Sequence, residues 1–286
     1  MRIDAHQHYW RLDRGDYGWL TPDAGILYRD YGPSDLAPHL RSRGIGATVA
    51  VQAAPTVAET EYLLTLCAGE PTLAGVVGWV DPEADDFEAT LVRLKRSPYF
   101  LGIRPMLQDL EDDAYIVRPK VLESLRTLVR HDLALDLLVR PRQLPHAAAM
   151  LAAVPGLRAV VDHIAKPDIA AGITEPWRSD LAAVAAYPNV YCKLSGMVTE
   201  ADHRAWRREH LEPYIREVCR LFGPQRVMFG SDWPVCLLAA SYDEVAAALE
   251  ASLPPEWTEA DRAAVFGANA AAFYRIGNSK LPEVAS

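Results

Sequence analysis

Short apolar runs alternate with amphipathic helical stretches from one end of this chain to the other, and that alternation restricts the fold more than any other feature. The runs occupy residues 3–8, 47–53, 73–80, 100–106, 134–139, 158–164, 189–195 and 226–232, and most are rich in Val, Ile and Leu. Strands covered on both faces need no polar face, so runs of this kind read as members of a parallel sheet. Between them, 57–69, 86–95, 120–131, 143–153, 178–187 and 206–222 carry helical patterns. Thr56 with Glu59, and Ser241 with Glu244, have the spacing of a capping box at a helix start. Strand, helix, strand repeated in this way is the signature of βαβ units. Eight units predict a closed (β/α)₈ TIM barrel, where six would suggest an open doubly wound sheet. No Gly-x-Gly-x-x-Gly follows the first strand, so a dinucleotide fold has no support. The reading is a single α/β domain over 1–276, with a helical pair at 258–276 closing the barrel and a loose tail at 277–286. The first βα connection, 9–32, is long and holds Trp10, Tyr17, Trp19, Tyr28 and Tyr31. Loops at this end of a barrel build the active site, so it reads as a pocket wall or lid, or else as a satellite hydrophobic cluster.

Composition excludes several classes. Half the residues are hydrophobic and 23% charged, which suits a globular core. Lys and Arg number 29 against 38 Asp and Glu, a net charge of −9. A field of that sign repels phosphate backbones and anionic lipid, so neither nucleic acid nor a membrane surface is expected as a partner. No run of about 18 apolar residues is present to span a bilayer, and the N-terminus lacks the apolar stretch of a secretory signal. Cys67, Cys192, Cys219 and Cys236 are far apart and read as reduced, buried thiols. The expectation is a cytoplasmic protein with a small-molecule partner. No oligomeric state is implied.

Polar groups interrupt the apolar pattern at the strand ends. In His6-Gln7-His8 the two imidazoles, two apart on a strand, point to one side near the barrel mouth. His163 ends the sixth strand and Asp232 the eighth. Taken singly, His163 reads as a core histidine bonded to Asp162 and Asp232 as a helix N-cap. Taken with His6 and His8, four polar groups close strands one, six and eight, and strands one and eight are neighbours in a barrel. Trp10, Trp79 and Trp233 lie at or just after strand ends, where they would line the mouth beside Arg104, Lys193 and Lys166, with Met106 on the face of Arg104. Such a mixture suits a ring that is apolar on one side and hydroxylated at its edge. His39, His131, His146, His203 and His210 fall in predicted helices and read as solvent-side.

His6-Gln7-His8, Asp162-His163 followed by Lys166-Pro167, and Gly230-Ser231-Asp232-Trp233-Pro234 together resemble the amidohydrolase superfamily. The likeness runs over essentially the whole chain. More narrowly it is to the lactonase-type branch, which includes the L-fucono-1,5-lactonases and the 2-pyrone-4,6-dicarboxylate lactonases. Gly102-Ile103-Arg104-Pro105 and Lys193-Leu194-Ser195-Gly196 bring it to the sugar-lactonase side. The resemblance implies water attack on the carbonyl of a sugar lactone of the L-fucono-, D-arabinono- or L-galactono- type. Asp232 is then the general base, and His163, helped by His6 or His8, donates to the carbonyl oxygen. Lactones are activated esters, so no covalent nucleophile is needed, and no Gly-x-Ser-x-Gly elbow frames Ser195 or Ser231.

Metal-dependent members place Lys or Glu at the end of strand four and His at the end of strand five. This chain offers Arg104, and Asp136 without a His. A binuclear centre therefore lacks ligands, whereas His6, His8 and Asp232, with or without His163, suffice for one zinc ion. The resemblance allows that metal and does not require it, and a guanidinium suits an oxygen-rich ligand better than a divalent neighbour. Alternative readings are a metal-dependent decarboxylase or amide hydrolase of the same superfamily, and a pyrone-dicarboxylate lactonase. The last would call for several arginines at strand ends, where only Arg104 stands, with Arg11 and Arg140 nearby. A barrel that binds a sugar acid without turnover is the remaining class, and a buried base argues against it.

Overall fold

The structure, a computed structural model, describes residues 1–277. Eight parallel strands form one sheet in chain order: β1 (Arg2–Gln7), β2 (Ile45–Val51), β3 (Leu73–Gly78), β4 (Phe100–Ile103), β5 (Ala134–Leu137), β6 (Ala159–Val161), β7 (Val190–Leu194) and β8 (Val227–Phe229). Each is followed by a helix, in turn α1 (Pro33–Arg43), α2 (Val57–Leu66), α3 (Phe87–Leu94), α4 (Pro119–Arg130), α5 (Leu144–Ala153), α6 (Trp177–Ala185), α7 (Arg208–Phe222) and α8 (Tyr242–Ser252). The expected (β/α)₈ barrel is what the chain forms. No helix among the described residues is long and apolar enough to cross a membrane.

The seam between β8 and β1 closes just past the end of β8. Asp232 N donates to His6 O at 2.8 Å and His8 N to Trp233 O at 2.7 Å. Asp4, which is buried, clamps the same seam: its Oδ1 accepts from His6 N and Ser231 N, and its Oδ2 from the Tyr242 hydroxyl on α8. Burial lifts its carboxyl to about 6 despite these bonds.

Several strand ends are shorter than the apolar runs suggest. β6 stops at Val161 and β8 at Phe229, because the following residues leave the extended region. His163, Ile164, Ala165 and Lys166 have φ between 50° and 62°, a left-handed turn of four side-chain-bearing residues, and Asp232 has φ 57°. The capping box at Ser241 and Glu244 forms on α8. At α2 only half of it does: Thr56 accepts from Glu59 N, but the Glu59 carboxylate turns inward to Ala53 N at 2.8 Å.

The chain ends in α9 (Glu259–Ala263) and α10 (Asn269–Tyr274), which run on through a π turn at Ala264–Ala268 without a loop. This rod plugs the N-terminal end of the barrel, packing Ala270, Phe273, Tyr274 and Ile276 against the small inward side chains of the strands. Of the expected tail only Gly277 lies within the described residues. Cys67, Cys192, Cys219 and Cys236 are all buried. His203 lies in a turn and His131 caps α4 rather than lying within it.

Candidate active site

A β-bulge aims the first strand at the mouth. Ile3 and Ala5 belong to the barrel interior, so strict alternation would send His6 outward with Asp4. The β1–β2 register shifts between Asp4 and Gln7, and the extra residue lets His6 follow Ala5 inward. Asp4 Oδ1 satisfies the His6 N–H at 3.1 Å. Gln7 then faces out to Thr48, and His8 returns to the inside.

Three imidazoles converge on one carboxylate oxygen. Asp232 Oδ1 lies 3.3 Å from His8 Nε2 and 3.8 Å from both His6 Nε2 and His163 Nε2. All four side chains are buried. Burial pushes the Asp232 carboxyl up, but His163 and His8 opposite it prevail and hold it below the usual carboxylate range. Burial holds His6 and His163 well below the usual imidazole value, Lys193 reinforcing this at His6. An ionised carboxylate thus faces the neutral imidazoles of His6 and His163 at neutral pH.

Each ring is oriented from behind. His8 Nδ1 donates to Val51 O at 2.7 Å, which turns its Nε2 toward Asp232 Oδ1. His163 Nδ1 pairs with Ser195 Oγ at 2.9 Å, so Asp162 is not its partner. Gly196, with φ 63°, gives that ring its room, since a Cβ there would lie 2.5 Å from His163 Nδ1. His6 is held on both nitrogens. Its Nδ1 lies 3.1 Å from Lys193 Nζ and 3.4 Å from Asp162 Oδ1, and its Nε2 3.3 Å from Arg104 Nη1. The Nδ1–H tautomer donates to Asp162 and accepts from Arg104; the Nε2–H tautomer accepts from Lys193 and faces Asp232.

Below the imidazoles lies a charged layer that the apolar reading of the strands missed. Lys193 Nζ, fully buried, contacts Asp136 Oδ2 at 2.5 Å and Asp162 Oδ1 at 3.1 Å. The Tyr274 hydroxyl reaches Asp136 from beneath at 2.9 Å. Burial lifts Asp136 to about 6, while Lys193, His163 and Arg104 outweigh the burial of Asp162 and bring it down. The inward positions of β5 and β7 are Asp136 and Lys193. A single charged residue inside an otherwise apolar strand core was the available signal.

Comparison with known proteins bears on this geometry. The family model described as Amidohydrolase matches residues 3–276. The chain belongs to the amidohydrolase family. It is 46% identical to an L-fucono-1,5-lactonase of Burkholderia ambifaria and 41% identical to one of Burkholderia multivorans, in each case over 96% of both chains. It is also similar to the crystal structure of a Burkholderia multivorans amidohydrolase with bound zinc, at 41% identity and a TM-score of 0.90, covering 97% of this chain and all of that one.

In this amidohydrolase His8, His163 and Asp232 open into a cavity of about 290 Å³ at the C-terminal end of the barrel, whereas His6, contrary to expectation, does not line it and lies fully buried. His8, His163, Asp232 and Arg104 form its floor, and Met106 and Lys166 also line it. Arg104 is fixed by its Nη2 donating to Gln52 O while Gln52 Nε2 donates to Arg104 O. Lys166 is paired with Glu200 at 2.8 Å. Contrary to the expectation from strand ends, Trp10, Trp79, Trp233 and Lys193 are not among the lining residues. Trp10 and Trp233 are buried, both packing edge-on against Tyr31, and Trp79 is half-buried beside Thr60. The tryptophan that does line the cavity is Trp19, from the long first connection, whose Nε1 donates to Ala53 O. Asp109 and Gln108 stand at the same cavity and escaped the sequence reading, because polar loop residues carry no periodic signal.

The donor set fits one divalent ion. His6, His8 and Asp232 each offer a ligand atom within 4.8 Å of the others, and His8 presents its Nε2. Asp162 behind His6 Nδ1 is the outer partner that a metal-bound imidazole takes. Such an ion would claim the lone pair that Arg104 Nη1 contacts.

Proposed function

We propose that this amidohydrolase opens a sugar lactone, L-fucono-1,5-lactone or a closely related aldonolactone, to the aldonic acid, in carbohydrate metabolism. The observation that carries the reading is an ionised carboxylate facing the neutral imidazoles of His6 and His163, with a guanidinium beside it at the floor of a ring-sized cavity. The similarity to two curated L-fucono-1,5-lactonases over nearly the whole chain supplies the substrate class.

Asp232 takes a proton from water as the oxygen attacks the lactone carbonyl. His163 donates from Nε2 to the carbonyl oxygen as charge builds there, its Nδ1 accepting from Ser195. Arg104, on the same floor, adds positive potential. When the tetrahedral adduct collapses, the proton held by Asp232 passes to the ring oxygen and the carbon–oxygen bond breaks. The products are one carboxylic acid and one alcohol, which balances lactone plus water.

Zinc, when held by His6, His8 and Asp232, supplies Lewis acidity and lowers the pKa of a bound water. The steps above use only the side chains of this chain. Hydrolysis is accordingly expected to survive chelator treatment of purified protein. Loss of rate restored by added Zn²⁺ would make the metal obligatory.

The decisive variant is Asp232→Asn, assayed by proton release on a panel of aldonolactones. It should keep the wild-type circular dichroism spectrum and lose about 10²–10⁴-fold in rate, the contribution of a positioned general base. A folded variant with most of its rate would overturn the assignment of the base.

A further inference from the structure

The floor of the cavity is dominated by hydrogen-bond donors and the base, whereas a sugar lactone brings several hydroxyl groups that must themselves donate. Acceptors stand at the rim. Among the described residues Gln108 Oε1 is buried and has no hydrogen-bond partner, while its Nε2 donates to Asp109 Oδ2 at 2.9 Å. The amide is thereby fixed in one sense, with its oxygen turned away from Asp109. Asp109, an acceptor-only group when ionised, is held at Oδ1 by Arg140 at 3.4 Å.

The backbone beneath this pair is pinned from outside the cavity. Gln143 Nε2 donates to Leu107 O at 2.7 Å, and Arg142 Nη2 to Gln108 O and Leu110 O. A polar pair on a braced segment, with one buried lone pair unused, is arranged for a ligand rather than for folding, since a buried acceptor without a donor costs free energy.

We propose that Gln108 and Asp109 form the subsite that reads the hydroxyl groups of the substrate. Gln108 Oε1 accepts from a hydroxyl on the lactone ring or its side chain, and Asp109, joined to it, fixes the amide and accepts from a second. The proposal rests on the lactonase reading and deepens it, because it assigns discrimination for hydroxylated over plain cyclic esters to two residues remote from the bond that breaks.

The test compares kcat/KM on L-fucono-1,5-lactone with kcat/KM on δ-valerolactone, a six-membered cyclic ester without hydroxyls, for wild type, Gln108→Leu and Asp109→Ala. In both variants the ratio of the two values should fall by about 10- to 100-fold, the worth of one or two lost hydrogen bonds, with the change carried by KM. A ratio unchanged in both variants overturns the subsite, whether the individual rates fall together or not at all. The side chain of Asp109 is largely exposed, so its variant tests the idea even if Gln108→Leu unfolds. Wild type that opens neither lactone overturns the lactonase reading itself, and this subsite with it.

Discussion

His163 sits at φ 52°, a region that costs a side-chain-bearing residue about 1–3 kcal/mol, and three more residues in the same region follow it. That strain is stored where it aims a ring at Asp232. Gly196 is its necessary neighbour. Gly196→Ala places a Cβ 2.5 Å from His163 Nδ1 and occupies φ 63°. It should lower kcat on the lactone by about 10²–10³, the loss expected for one misplaced oxyanion donor, while destabilising the fold by only about 1–2 kcal/mol. Wild-type kcat in a folded Gly196→Ala protein would dissociate His163 from the chemistry. Lys193 makes a different kind of prediction. Its removal as Lys193→Met leaves Asp136 buried without its cation and Asp162 with Arg104 alone, and urea denaturation should show a loss of about 3–5 kcal/mol. Adding Asp136→Asn should recover part of it; no recovery would mean that Lys193 acts through packing alone. Of these residues, His6, His8, His163 and Asp232 were legible because each is polar where an apolar strand ends. Gln108 and Asp109 were not, because loop side chains reach a site by tertiary placement that spacing does not encode. The tryptophans misled for a related reason: a strand-end position does not say whether a large ring turns to the cavity or into the packing beneath it.

Among the elements, β1 and α2 show how local structure departs from pattern in order to serve the mouth. The bulge in β1 is invisible to period-two counting, yet it is what puts His6 and His8 together on the inside. At α2 the sequence spells a capping box, and the helix starts where that predicts, but Glu59 is diverted to Ala53 N, the residue whose carbonyl holds Trp19. The diversion is costly: Glu59 is fully buried, its Oε2 has no hydrogen-bond partner among the described residues, and burial lifts its carboxyl to about 8 from the usual 4.5. Between those two values the folded protein holds a proton that the unfolded chain has released. Stability therefore falls as pH rises from about 5 to 8, by at most about 1.4 kcal/mol per pH unit for this one group. Glu59→Gln keeps the acceptor for Ala53 N and cannot ionise. Its stability relative to wild type should improve steadily over that range in urea titrations at several pH values. Parallel pH profiles for the two proteins would show that Glu59 titrates normally in the fold.

Across the whole molecule, a polar column runs up the middle of an otherwise apolar barrel. Tyr274 enters from the C-terminal helix at the bottom, Asp136, Lys193 and Asp162 form the middle, and His6 and Asp232 stand at the top. The eight-unit rhythm made the barrel legible, since a strand covered on both faces and a helix with one apolar stripe each leave a periodic trace. The column left almost none, because its members come from six separate segments and meet only when the sheet closes. Its two ends have different duties. Tyr274 is not among the residues lining the cavity and donates to Asp136 at 2.9 Å, so its hydroxyl serves the buried carboxylate rather than the reaction. Tyr274→Phe should therefore cost about 1.5–3 kcal/mol of stability at pH 8, where Asp136 is ionised, and leave kcat on the lactone nearly unchanged. Combined with Lys193→Met, the two losses should fall short of additivity, because both act on the same carboxylate. A fall in kcat of about tenfold or more in Tyr274→Phe, with stability intact, would instead make the column a route by which the bottom of the barrel governs His6.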